Sequence, residues 1–131
     1  MSDPTPPELV GAWRLLAFEE RASEQEPWQH PLGEDARGVW FSDAAGVLSV
    51  HIHAPNAPDP ALRNIAYFGF LTVRGVERSR EGVRGELIYE LDGGFPAAVL
   101  EPGAPWPFEV TGDTLILCDQ RTERHTLARI R

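Results

Sequence analysis

Lysine is absent from this chain, and all 12 basic residues are arginine. Without an ε-amine, Schiff-base catalysis has no side chain to run on; only the N-terminal amine could form an imine. Cysteine is almost absent too. The single Cys118 rules out an internal disulfide, so packing alone must hold the fold, and a reducing compartment is expected. No apolar run approaches a membrane-spanning length. Met1 leads into Ser-Asp-Pro-Thr-Pro-Pro with neither a basic nor an apolar segment, so no signal peptide is expected and the expected address is cytoplasmic. Positive charge is scarce: 12 basic against 20 acidic residues leave −8, which argues against nucleic acid or an anionic membrane as the main partner. Phosphate loops, Gly-x-Ser-x-Gly elbows and nucleotide fingerprints are missing. So are helical apolar stripes and internal repeats.

What is present is period-two alternation. At 131 residues the chain makes one domain: a flexible Pro-rich lead over 1–8, then a single domain over 9–131. The first strand runs from Leu9 to Glu20, with Leu9, Gly11, Trp13, Leu15 and Ala17 on one face. Residues 21–37 read as a long loop carrying Trp28 and His30. Strands follow at Gly38–Ser42 and Val47–His53 about a tight turn, and Pro55, Pro58 and Pro60 stiffen the connection over 54–64. Further strands are expected at Ile65–Arg74, Glu86–Leu91, Phe95–Leu100, Trp106–Val110, Thr114–Cys118 and Arg124–Ile130. Gly75–Gly85 reads as a charged turn region, and Asp92-Gly93-Gly94 as a break. About 8–9 short strands with frequent turn signals make an all-β fold, a single antiparallel barrel with little or no helix; closing the sheet removes its edges.

Leu9-Val10-Gly11-Ala12-Trp13-Arg14-Leu15 resembles the opening of the bacterial and fungal lipocalin-like domain family. Pro31–Gly38, standing before a strand, a turn and Leu48-Ser49-Val50, is similar to that family's most specific segment. Ala66-Tyr67-x-Gly69 and the Thr111–Leu115 hairpin also fit. The resemblance implies a small calycin-type barrel, in a family where many members have no assigned activity. It also implies that a late arginine packs on the first-strand Trp13, and Arg129 is the candidate. Residues 92–105 depart from the pattern in being rich in Gly and Pro.

One apolar interior is expected, lined or floored by Trp13, Leu15, Trp40, Tyr67, Leu71, Leu87, Tyr89, Leu91, Trp106 and Phe108. It would suit a small hydrophobic or aromatic ligand with one or two polar groups on Tyr67 and Tyr89. The alternative is a cofactor-free cyclase or isomerase on a biosynthetic intermediate, with acid–base groups drawn from His51, Tyr67, Tyr89 and Glu90. A weaker alternative is a metal- or haem-binding barrel using His51 and His53, which share a strand face roughly 7 Å apart at Cα. The opposite face, Leu48, Val50 and Ile52, is the better core face, so the two histidines read as surface residues and no metal or cofactor is expected. In Pro31–Gly38, Glu34, Asp35 and Arg37 read as a shaped turn rather than as groups over the barrel mouth. Phe68 and Phe70 alternate with Tyr67, Gly69 and Leu71, so both faces of that strand are apolar. That predicts a homodimer through the face bearing Phe68 and Phe70.

Overall fold

The computed structural model describes residues 3–96, 105–118 and 122–131. Eight strands make a closed antiparallel barrel in which each pairs with its sequence neighbours and the last returns to the first. They are β1 (Gly11–Glu20), β2 (Arg37–Ser42), β3 (Val47–His53), β4 (Asn64–Arg78), β5 (Val83–Phe95), β6 (Trp106–Thr111), β7 (Thr114–Cys118) and β8 (Glu123–Arg129). The one helical element among the described residues is a 3-10 turn, Pro60–Leu62, capped by the Asp59 carboxylate.

Two strands outrun the sequence expectation. β4 continues past Arg74 to Arg78, and β5 begins at Val83 and runs through Asp92-Gly93-Gly94 to Phe95. The charges read as a turn are cross-strand partners: Arg74 pairs with Glu86 at 3.2 Å and Arg84 with Glu77 at 2.9 Å. Gly93 does not break β5, because it lies beneath the Phe68 ring. A Cβ there would stand 2.7 Å from that ring, so the glycine makes room for it. Of the strand expected at Phe95–Leu100, Phe95 closes β5 and residues 97–100 lie outside the described residues.

The floor of the barrel is built on Trp13, which is fully buried. Its indole Nε1 donates to the Leu9 carbonyl at 3.0 Å, and Ser42 Oγ donates to the same oxygen at 3.3 Å. The Arg129 guanidinium lies 4.2 Å from the Trp13 ring centroid, donating from Nη1 to the Val10 carbonyl at 3.1 Å and from Nη2 to that of Glu8. Gly11 serves this corner through its backbone: its φ of 122° is one that side chains avoid. From Asp3 onward the lead makes hydrogen bonds to β4. The Asp3 amide donates to the Val73 carbonyl at 2.7 Å, its carboxylate accepts from the Val76 amide at 3.1 Å, and Pro6 is buried.

Above the floor, Leu15, Trp40, Leu48, Val50, Leu71, Leu87, Phe108, Leu117 and Leu127 are all buried inside the barrel. Eight strands leave an interior that side chains can fill, and large residues on most of them fill it here.

Candidate functional site

At the end opposite Trp13, the inward rows finish in polar and aromatic side chains. Alternation along β8 turns Leu127, His125 and Glu123 toward the axis, and β4 and β5 bring Tyr67 and Tyr89 to the same level. His125 stacks on Phe18, with ring centroids 4.1 Å apart and an interplanar angle of 23°, and it lies 5.1 Å from Trp106. Its Nε2 is 3.0 Å from a Glu123 carboxylate oxygen. With that proton on Nε2, Nδ1 is left as an acceptor. The two tyrosine rings lie 6.1 Å apart, and Tyr89 Oη accepts from the Trp40 indole at 3.1 Å.

Burial raises both tyrosine pKa values. Tyr67 goes well above the usual phenol value, first through desolvation, then through Tyr89 and the Glu123 charge. Tyr89 is pushed up to about 12 by desolvation, which the Trp40 hydrogen bond partly offsets. Both hydroxyls therefore stay protonated at neutral pH and can donate. The mouth thus offers a carboxylate-paired imidazole and two protonated phenols within an aromatic setting.

The sequence-expected residues separate into three groups. Trp13, Leu71, Leu87 and Phe108 are core; Trp13 lies under Arg129 rather than on an open cavity. Leu15, Trp40 and Tyr67 border a cavity of about 20 Å³, shared with Val50, Leu117 and His125. That is room for about one water, far less than the ligand-sized interior expected of these residues. The reason is the filling of the barrel by Trp13, Trp40 and Phe108. Tyr89, Leu91 and Trp106 are half-buried and belong to the mouth.

Two candidates for acid–base chemistry stand outside. Glu90 is exposed, opposite Phe70 on the outer surface, as its alternation with Tyr89 requires. His51 is exposed and Ile52 buried, because Leu48, Val50 and Ile52 take the core face. His53 is exposed as well, its Nδ1 3.1 Å from Asn64 Oδ1. Among the described residues no three His, Cys, Asp or Glu side chains converge as a metal site would require. His125 and Glu123 were missed in the sequence reading. Stepping by two from Leu127 would have found them, since Leu127 is the most apolar residue of that strand.

Two segments border this end. Trp28, in the loop after β1, lies between the Arg21 and Arg124 guanidiniums at 4.0 and 4.4 Å. Ala54 and Ala57, after β3, are fully buried and pack with Leu32. In the turn before β2, Asn56 donates to the Asp35 carboxylate, tying the two segments together. Residues 97–104 and 119–121 lie outside the described residues.

Fold and site define a closed eight-stranded antiparallel barrel with a polar, aromatic mouth. No protein-family profile matches the chain, and no curated protein does. Among solved structures it is similar to a lipoprotein, YedD, from Klebsiella pneumoniae, at 17% identity and a TM-score of 0.45, covering 100% of this chain and 79% of that one. No helix among the described residues is long and apolar enough to cross a membrane.

Proposed function

We propose that this chain is a lipocalin-like barrel that takes a small, mainly aromatic or apolar molecule at its mouth. The observation that carries the reading is the placement of Tyr67, Tyr89 and His125 among Phe18, Trp40 and Trp106. Apolar surroundings with a few convergent polar groups are the usual make-up of small-molecule sites. The ligand would lay its ring or chain against Trp106 and Leu91 and set one polar group on the tyrosine hydroxyls or on Nδ1 of His125. The lipocalin-like part of the proposal is supported by Arg129 stacked on Trp13, the pairing that the resemblance implied. A cytoplasmic address belongs to the same proposal and is supported by the lone Cys118.

The test is a titration with phenols and aromatic carboxylates followed by tryptophan fluorescence, with native mass spectrometry of the protein as purified. Trp106→Phe should remove most of the fluorescence change. Tyr67→Phe should weaken phenols more than alkylbenzenes of equal size. If no probe binds and the purified protein carries nothing, the reading fails.

The His125–Glu123 pair favours a second reading, a cofactor-free isomerase or cyclase. Nδ1 of His125 would remove a proton from carbon beside a carbonyl, leaving an enolate whose oxygen accepts a hydrogen bond from Tyr67. The imidazolium, stabilised by Glu123, would return the proton to another carbon. Deuterium wash-in to carbonyl probes, lost in His125→Gln, is the expected result; unchanged wash-in in that variant would exclude it.

A further inference from the structure

The outer surface carries a second concavity. β1 pairs with β2 only as far as Arg14 opposite Val39; beyond that point it runs along β8, with one bridge to Gln29 at its far end, Glu20. Where the two strands part, a groove of about 730 Å³ opens on the outside of the barrel. Strand register sets Arg14, Val39, His51 and Ala66 in one row across it, with Arg37 and His53 in the next row toward the mouth. Below these rows, Phe41 and Phe68 continue the same face, 40% and 55% exposed.

The charge of this groove is unlike the rest of the molecule. The chain carries −8, yet no described Asp or Glu lines the groove. Five arginines elsewhere are paired with carboxylates on neighbouring segments: Arg74 with Glu86, Arg84 with Glu77, Arg78 with Glu8, Arg124 with Glu19, and Arg131 with Asp113. The Arg14 and Arg37 side chains make no hydrogen bond or ion pair with any described residue. Two unpartnered guanidiniums stand beside apolar surface that Val39, Ala66 and Ile130 leave open to water.

We propose that this groove binds a small amphiphilic carboxylate. Its head group sits on the Arg14 and Arg37 guanidiniums, and its hydrocarbon tail lies over Val39 and Ala66 toward Phe41 and Phe68. A carboxylate gains charge-assisted hydrogen bonds from a guanidinium, and the tail covers surface that is otherwise hydrated. The overall −8 disfavours an anionic bilayer as the occupant, since its repulsion acts at longer range than the local positive charge. The inference stands apart from the mouth, because no tyrosine and neither Glu123 nor His125 takes part.

The test uses octanoate and octan-1-ol, with backbone amide shifts recorded by two-dimensional NMR on the 15N-labelled full chain. Octanoate should move the amides of Gly38, Val39 and Ala66 in a saturable way. In Arg14→Gln/Arg37→Gln its dissociation constant should rise about tenfold, with octan-1-ol changed by less than about twofold. Both arginines are exposed and unpaired, so the variant should fold; an unchanged spectrum outside the groove confirms it. Tyr67→Phe should leave octanoate binding at these amides unaltered. Shifts confined to the mouth would overturn the proposal while leaving the mouth reading in place. Equal responses to acid and alcohol would overturn it as well. So would a dimer in sedimentation that Phe68→Glu dissociates while exposing the amide of Val39, since the face would then be a subunit interface.

Discussion

Both ends of this barrel set polar groups among aromatic rings, but they treat them in opposite ways. At the floor every polar side chain is committed: the Trp13 indole and Ser42 hydroxyl to one carbonyl, and the Arg129 guanidinium, 20% exposed, to two others, to Asp113 and to the Trp13 ring. At the mouth His125 and Glu123 are 14% and 25% exposed, and only one of the histidine's ring nitrogens has a partner among the described residues. The floor closes the sheet; the mouth leaves chemistry accessible. Stability and function should therefore separate along the barrel axis.

The largest effect that would break this comparison is at Trp13. Trp13→Ala should cost about 3–5 kcal/mol, because it empties a fully buried site and strands Arg129 without its ring. Trp106→Ala, at the half-buried mouth, should cost less than half as much in urea unfolding. Equal losses would mean that both ends are structural.

Alkaline pH gives the next effect. The raised tyrosine pKa values mean that the unfolded chain releases phenol protons before the folded one does. Stability is therefore fully present below pH 10 and falls as pH rises through about 12. For Tyr89 the fall amounts to about 3 kcal/mol. Tyr89→Phe should flatten that part of the limb in denaturation followed from pH 9 to 12, and an unchanged limb would show that the mouth is more hydrated than its packing implies.

Arg129→Met keeps much of the arginine stem's length but leaves the Glu8 and Val10 carbonyls unmatched. It should cost about 2 kcal/mol. Smallest is His125→Gln, expected within about 1 kcal/mol of the parent. If His125→Gln proves more damaging than Arg129→Met, the contrast between the two ends is reversed.

The alternation of β3 and β6 was readable because one face of each meets the core and the other meets water; that of β1 was readable only as far as Leu15, where a register shift turns Phe18 rather than the expected Ala17 inward. The Arg129–Trp13 contact was readable only through a family resemblance, since no periodicity links residues so far apart in sequence. The outward β4–β5 hairpin was not readable. Beyond Arg74 its faces are largely solvated, so alternation is lost, and its pairing is carried by charges such as Arg84 and Glu77. The mouth was half legible. Tyr67 and Tyr89 follow from apolar neighbours, whereas His125 and Glu123 occupy inward positions that hydrophobicity does not mark. Filling of the interior was illegible, because an inward-facing list gives residue identities and not the space between them.

The pairing of β1 with β8 also governs how the chain comes off the ribosome. Trp13 meets its partner Arg129 only after almost the whole domain has been made. At elongation rates of about 5–20 residues per second, roughly 6–23 seconds separate the two. Through that interval β1 presents an open edge and an uncovered indole, and no shorter segment of the chain can close the sheet for it. Slow, non-local closure of this kind leaves the nascent chain's apolar surface uncovered for longer. Codon changes that slow translation between β2 and β7 should lower soluble yield while leaving the stability of the finished protein untouched.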